Sequence, residues 1–182
     1  MSKNKIWAAN VNNLSDARYF AAMGVDIMSF ICADHQDMVR IHAIKDWVEG
    51  PKIAIELQGL EYSDLHSKFI EEIKADIVLS APYLVLPSMD IPRYHTTIYP
   101  NFTEDSFQVI KIEDYDQNID LQSITSLKND NIFIDAPLSK DDLRAIKNNA
   151  PHIGFLIRGG NEIKVGIKSF DELDEFFDVL DE

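Results

Sequence analysis

The stretch that decides the fold is KIWAANVNNLSDARYFAAMGVDIMSFIC, residues 5 to 32. It opens with a short apolar run, continues through a segment with a helical pattern, and returns to a second apolar run. Within the helical segment, Asn13 can cap the first turn, Asp16 lies inside that turn, and Gly24 can end the helix. This alternation predicts a β-α-β unit with two parallel strands.

Similar short apolar runs recur along the chain, each too short to form a helix. They cover residues 5–10, 25–32, 52–57, 76–81, 96–101, 107–113, 131–136 and 152–157. Several are apolar at consecutive positions, which is typical of strands that are covered on both faces. The chain has 182 residues, enough for one sizeable core. We therefore predict a single α/β domain over residues 1–182 with the (β/α)8 TIM barrel fold.

Helical patterns occupy several of the gaps between these runs, as expected for the outer ring of a barrel. Beyond the first helix, they cover residues 37–48, 63–74 and 140–148 and the C-terminal stretch. Ser169 to Glu172 have the form of a capping box, which predicts that the last helix begins there.

The middle of the chain departs from this pattern. Pro87 and Pro92 do not fit the interior of a helix, and only residues 102–106 separate the fifth and sixth runs. A parallel crossover needs roughly a dozen residues. At least one outer helix is therefore expected to be missing around residues 83–106, which shortens the barrel. Either an extended loop bridges the gap, which we expect, or the two runs form a local hairpin that distorts the barrel.

The charge and cysteine content exclude several classes of function. With 17 Lys and Arg against 31 Asp and Glu, the net charge is −14, which repels nucleic acids and anionic membranes. Cys32 is the single cysteine, so neither a disulfide within the chain nor a cysteine-based zinc cluster can form. The five histidines lack metal-ligand spacing, and no metal or other cofactor is expected. Without a targeting or membrane-spanning segment, a cytoplasmic protein is predicted.

Both ends of the chain carry distinctive motifs. At the N-terminus they are residues 5–10 (KIWAAN), 13–17 (NLSDA) and 24–31 (GVDIMSFI), and at the C-terminus residues 158–162 (RGGNE) and 166–168 (GIK). In order and spacing these motifs resemble those of phosphoribosylanthranilate isomerase. The resemblance implies a phosphate-binding (β/α)8 barrel. It also implies the Amadori rearrangement of N-(5-phosphoribosyl)anthranilate in tryptophan biosynthesis, an intramolecular aldose-ketose isomerisation. The family uses a cysteine base on strand 1 and an aspartate acid on strand 6.

The base position of the family corresponds to Trp7. An indole N–H donates a hydrogen bond but cannot accept a proton at neutral pH, so we expect this activity to be impaired or absent. Cys32 could be a displaced thiol, although a lone buried cysteine more often serves packing. Glu113 lies near the acid position and is either that acid or a solvated loop charge. Asp135 ends a strand and is either an acid–base group or a cap for the following segment.

The phosphate site implied by the resemblance is only partly present. The family's Gly-Gly after strand 7 is Ala136-Pro137 here, and the proline removes one N–H donor. Gly159 and Gly160 remain, with Arg158, Lys164 and Lys168 nearby in the sequence. They form either a site for inorganic phosphate or a phosphorylated small molecule, or a turn with exposed cations.

Three hypotheses of function remain open. The first is a divergent isomerase that uses Glu113 or Asp135 and holds phosphate at Gly159 and Gly160. The second is a catalytically silent barrel that binds a phosphorylated ligand or a protein partner. The third is another chemistry of phosphosugar barrels, such as epimerisation, because a fold does not fix a function.

Overall fold

The computed structural model describes residues 4–57, 64–80, 84–87, 95–99, 107–159, 162–164 and 167–182. Its main sheet has nine strands in the order β4-β3-β2-β1-β9-β8-β7-β6-β5. These are β1 (Ile6–Ala9), β2 (Ile27–Cys32), β3 (Lys52–Leu57), β4 (Ile77–Ser80), β5 (Leu84–Pro87), β6 (His95–Tyr99), β7 (Phe107–Lys111), β8 (Ile132–Asp135) and β9 (Gly154–Arg158). A separate antiparallel pair consists of β10 (Glu162–Lys164) and β11 (Ile167–Lys168).

The seven strands from β4 through β1 to β7 are all parallel and form a curled half-barrel with helices between them. The helices are α1 (Leu14–Ala22), α2 (His35–Lys45), α3 (Asp64–Ile73), α4 (Gln117–Ser126), α5 (Lys140–Asn149) and α6 (Asp171–Asp181). The predicted barrel-like α/β fold is thereby confirmed. The sequence patterns located all the helices except α4, and they missed β5, β10 and β11.

The middle of the chain contains two reversals of direction. β6 pairs antiparallel with both β5 and β7. The expected extended loop between parallel strands is therefore wrong, and the hairpin alternative is right, because a link as short as residues 100–106 favours reversal over a crossover. Between α3 and α4 the described residues include no helix, which agrees with the missing outer helix. β4 and β5 stand at the two ends of the strand order.

Local side-chain caps fix where several helices begin. Asn13 accepts a hydrogen bond from the Asp16 backbone N–H at 2.9 Å, as the sequence predicts. Asp34 does the same for α2, and Ser139 forms a capping box with Asp142 at α5. The capping box predicted at Ser169 is wrong. The Ser169 hydroxyl accepts a hydrogen bond from the Asp171 backbone N–H at 3.2 Å. A capping box at Ser169 would start the helix at residue 170, whereas α6 begins at Asp171.

Two apolar layers pack on the sheet. The outer layer lies between the strands and the helices and includes Phe20, Ile41, Phe155 and Phe177. The inner layer fills the concave side of the sheet with the inward-facing residues Trp7, Ala9, Ile27, Ala54, Ile77, Leu79, Phe107, Val109, Phe133 and Leu156. A Cβ at Gly154 would lie 2.5 Å from the Phe133 ring, so this glycine makes room for the inner layer.

Candidate functional site

The carboxyl ends of the parallel strands carry a group of polar side chains that continue the inward-facing series. In this region, here called the mouth, lie Ser29, Glu56, Lys111, Asp135 and Arg158. The strand register places Ser29 beside Ala54, Glu56 beside Leu79, and Lys111 beside Asp135. This end of a parallel barrel is where catalytic and binding residues of such folds gather.

Trp7 occupies the inside of the barrel immediately below the mouth. It is 1% exposed, and its indole makes edge-on contacts with Phe107 and Phe133, with ring centroids 5.7 and 5.3 Å away. Its Nε1–H donates a 2.8 Å hydrogen bond to the hydroxyl of Ser29. Trp7 is thus a packed aromatic ring on strand β1 whose only polar side-chain atom is a hydrogen-bond donor.

A short chain of buried hydrogen bonds continues from Trp7 to Glu56. The Ser29 hydroxyl donates to Oε1 of Glu56 at 2.6 Å, and both side chains are buried. Burial raises the pKa of the Glu56 carboxyl above its ordinary value, while the Ser29 hydrogen bond and the charge of Arg158 act in the opposite direction. Glu56 therefore favours its neutral form more than an exposed glutamate does.

The sequence analysis did not identify Ser29 or Glu56. A signal was present for Glu56, because it is a charged residue inside the apolar run 52–57, two positions after the inward-facing Ala54. In a strand with period-two alternation, that spacing places a carboxyl on the concave face of the sheet. The partner Ser29 lies 27 residues away and carries no such local signal.

Asp135 and Arg158 form a single unit at the mouth. The guanidinium of Arg158 donates two parallel hydrogen bonds of 2.9 Å to the two carboxylate oxygens of Asp135. The Asp135 side chain is 15% exposed and that of Arg158 is 50% exposed. The sequence predicts one as an acid–base group and the other as a phosphate ligand, whereas the structure brings them together as a bidentate ion pair.

Glu113 lies two residues beyond Lys111 and pairs with it. The Lys111 ammonium donates to the Glu113 carboxylate at 2.7 Å, and both side chains are exposed. This hydrogen bond, with the charge of the lysine, lowers the pKa of Glu113 and raises that of Lys111. Glu113 is thus one partner of an exposed ion pair.

Several solved structures share this architecture over nearly their whole length. TrpF from Jonesia denitrificans matches with a TM-score of 0.62 and 11% identity, covering 98% of this chain and 97% of that one. Phosphoribosyl anthranilate isomerase from Thermus thermophilus matches with a TM-score of 0.60 and 13% identity, covering 97% and 98%. N-(5'-phosphoribosyl)anthranilate isomerase from Pyrococcus furiosus gives 0.54 and 8%, covering 98% of each chain. The chain has the phosphoribosylanthranilate isomerase fold.

The resemblance first seen at the two ends of the sequence is thus confirmed for the fold. No protein-family model and no curated protein matches the chain.

The turn after β9 packs tightly against the start of α1. A Cβ at Gly159 would lie 2.2 Å from Oδ2 and 2.6 Å from Cγ of Asp16, so only glycine fits there. Asp16 is buried, and its Oδ2 accepts a hydrogen bond from the Asn13 side chain at 2.8 Å. The space that Gly159 leaves by lacking a side chain is thus occupied by the Asp16 carboxylate. Gly160 lies outside the described residues, and Lys164 and Lys168 belong to β10 and β11.

A cleft of about 830 Å³ lies between the segments that follow β8 and β9. Its positively charged lining residues are Arg158 and Lys140, and the Lys140 ammonium is 3.1 Å from the Glu175 carboxylate. Glu175, Asp171 and Glu172 also line the cleft, so it contains charges of both signs. Apolar lining comes from Ala136, Pro137, Leu138, Leu143, Ile157, Leu173 and Phe176.

Cys32 belongs to the outer apolar layer, where the packing alternative puts it. Burial, together with the charges of Asp37 and Asp34, raises the pKa of its thiol to about 11.

Within the part of the chain that is described, no three metal-ligating side chains converge. None of the described helices is long and apolar enough to span a membrane.

Proposed function

We propose that this isomerase-like barrel does not catalyse the Amadori rearrangement of N-(5-phosphoribosyl)anthranilate. The observation that carries the proposal is Trp7, because the strand-1 position of the base holds a buried indole that donates to Ser29. General base catalysis needs a group that takes up a proton within hydrogen-bonding reach of the substrate, and an indole nitrogen is not such a group.

The two carboxylates predicted as acid–base groups are both engaged in ion pairs, which makes them poor replacements for the thiol. Glu113 is ionised and paired with Lys111, and Asp135 is held by Arg158 through two hydrogen bonds. A base must also face the reacting carbon, and the indole with Phe107 and Phe133 occupies the space below the mouth. These contacts support a loss of the reaction rather than a transfer of the base to a neighbour.

Complementation of a tryptophan auxotroph that lacks this isomerase tests the proposal. We expect no growth with this chain, whereas the Thermus thermophilus isomerase should restore growth in the same vector. Purified protein should likewise leave the fluorescence of the anthranilate substrate unchanged beyond its spontaneous decay. Growth at ordinary expression, or turnover by the purified chain, would overturn the proposal.

We also propose that the barrel binds a small anionic ligand, for which the cleft after β8 and β9 provides the support. Lys140 and Arg158 line it, and they supply an ammonium on a flexible side chain and a planar guanidinium. The cleft also contains Asp171, Glu172 and Glu175, so we expect affinity only in the millimolar range.

A thermal-shift titration with inorganic phosphate tests this second proposal. Ligand that binds the folded state raises the melting temperature as its concentration exceeds the dissociation constant. Lys140→Met should abolish the shift, and Lys128→Met, an exposed lysine before β8, is the matched control. An equal shift in wild type and in Lys140→Met, or no shift at all at millimolar phosphate, would remove the cleft as the site.

A further inference from the structure

The hydrogen-bond chain from Trp7 to Glu56 has a fixed direction. An indole nitrogen can only donate, so Ser29 Oγ must be the acceptor in the 2.8 Å contact. The single hydroxyl hydrogen of Ser29 is then available for Oε1 of Glu56, 2.6 Å away. Oε1 of Glu56 is the oxygen that accepts this hydrogen bond.

This direction determines where Glu56 can carry an acidic proton. Oε1 already accepts a hydrogen bond from Ser29, so a proton on the carboxyl belongs on Oε2. In that form Glu56 presents an O–H donor, held in a fixed orientation by two buried side chains. A neutral carboxylic acid in an apolar barrel is suited to donating a hydrogen bond to a ligand oxygen.

Arg158 supplies a second polar group at the same mouth. Its positive charge acts on Glu56, and half of its side chain is exposed. In the ion pair with Asp135, this guanidinium already binds a carboxylate through two hydrogen bonds of 2.9 Å. A planar guanidinium binds carboxylate and phosphate oxygens in the same forked geometry, so an anion from solvent can share or replace that interaction.

We propose that Glu56 and Arg158 together bind a small anion that carries a second, uncharged acceptor oxygen. The guanidinium of Arg158 binds the carboxylate or phosphate group, and Oε2–H of Glu56 donates to a carbonyl or hydroxyl oxygen of the same molecule. This inference rests on the proposed ligand-binding function and names the chemistry of the ligand. No bond is made or broken in it.

Trp7 provides the readout, since it lies at the other end of the hydrogen-bond chain. The chain has two tryptophans, and the other, Trp47, is 67% exposed. In a Trp47→Phe background the emission therefore reports on Trp7. Two probes carry an anionic group and a separate carbonyl oxygen: pyruvate, whose anion is a carboxylate, and glycolaldehyde phosphate, whose anion is a phosphate. Acetate and inorganic phosphate are the matching controls, because they lack the carbonyl oxygen.

We expect each two-oxygen probe to bind roughly 5- to 20-fold more tightly than its control, as one added hydrogen bond implies. Glu56→Gln keeps an acceptor for Ser29 and a donor for the ligand, so it should retain the preference. Glu56→Met should lose it, and Ser29→Ala, which removes the orienting hydroxyl, should reduce it. Retention of the full preference in Glu56→Met would overturn the proposal.

The pH dependence gives a second criterion. Because burial raises the pKa of Glu56, the wild-type preference should persist above the ordinary pKa of 4.5 and then fall with rising pH as Glu56 loses its proton, whereas in Glu56→Gln it should not change. Among the described residues, the other charged groups at the mouth are Arg158, Asp135 and Lys111, with Glu113 paired to Lys111, and all remain in both proteins. Glu49→Gln, at an exposed position away from the mouth, should behave as wild type.

Two outcomes separate this inference from the proposed function on which it rests. If inorganic phosphate binds in a Lys140-dependent way but the second oxygen adds nothing, the cleft binds anions and the Glu56 inference is wrong. If none of the four probes binds at millimolar concentration, the ligand-binding proposal fails, and the Glu56 inference fails with it.

Discussion

The indole N–H of Trp7 lies 2.8 Å from the hydroxyl oxygen of Ser29, and this contact joins strand β1 to strand β2 inside the barrel. It lets a large aromatic ring occupy the interior without leaving its polar atom unsatisfied, which would be costly in a buried position. This hydrogen bond therefore contributes to the stability of the barrel interior next to the mouth.

Replacing Trp7 by Phe should destabilise the protein by about 1 to 3 kcal/mol, because it removes the donor to Ser29 and leaves a small cavity between Phe107 and Phe133. Urea unfolding followed by circular dichroism measures the change. Trp47→Phe is the matched control and should stay within about 0.5 kcal/mol of wild type, since Trp47 is 67% exposed. Equal effects of the two substitutions would contradict this account of Trp7.

Glu56 should make stability fall as pH rises. Burial, the largest cause, raises its pKa above the ordinary 4.5, so the folded state binds more protons than the unfolded state between the two values. The stability that this carboxyl contributes is fully present below pH 4.5 and is lost as pH rises through the pKa of Glu56 in the folded state. The free energy of unfolding should fall by at most about 1.4 kcal/mol per pH unit.

Urea unfolding of wild type and Glu56→Gln over this range checks the sign. The difference in the free energy of unfolding, wild type minus variant, should decrease with pH, because glutamine does not titrate. A difference that increases with pH would mean that the charged form of Glu56 is the favoured one.

Gly159→Ala should destabilise the turn after β9 by about 1 to 3 kcal/mol, the usual range for overpacking. The added Cβ would lie 2.2 Å from Oδ2 of Asp16, so the two groups must move apart. In an Asp16→Ala background the obstruction is gone, and the same substitution should cost much less. A double-mutant cycle measures this coupling, and additive effects would show that the contact does not limit the turn.

Cys32 should react slowly with alkylating reagents. Its pKa of about 11, against an ordinary 9.0, corresponds to about 100-fold less thiolate at neutral pH, and its burial slows access further. Iodoacetamide labelling followed by mass spectrometry gives the rate. Cys32→Ser combined with Ser126→Cys provides an exposed thiol in the same chain, and similar rates for the two thiols would refute the prediction.

Most strands and most helices could be predicted because their signals are local. The apolar run at residues 52–57 coincides with β3 (Lys52–Leu57), and the cap of α1 is formed by Asn13 as expected. α4 escaped prediction because Gln117–Ser126 is polar along most of its length, with Asp120 and Ile124 among its few buried residues. Its helical state depends on packing more than on its own pattern.

The site could be predicted only in part, because its partners are distant in the sequence. Asp135 and Arg158 were each identified from the ends of their strands, but a pairing over 23 residues is a property of strands β8 and β9 lying side by side. Likewise, the direction of β6 depends on how it pairs with β7, and residues 95–99 read alone are compatible with either direction.

The reversed strand β6 has a consequence for how this barrel is compared with others. Its register places His95 opposite Lys111 and Tyr99 opposite Phe107, so its first residue stands level with the mouth and its last stands at the far rim. An alignment that matches barrel strands from start to end would assign the mouth position of this strand to Tyr99. For this one strand, the equivalent position must be found by counting backwards along the chain.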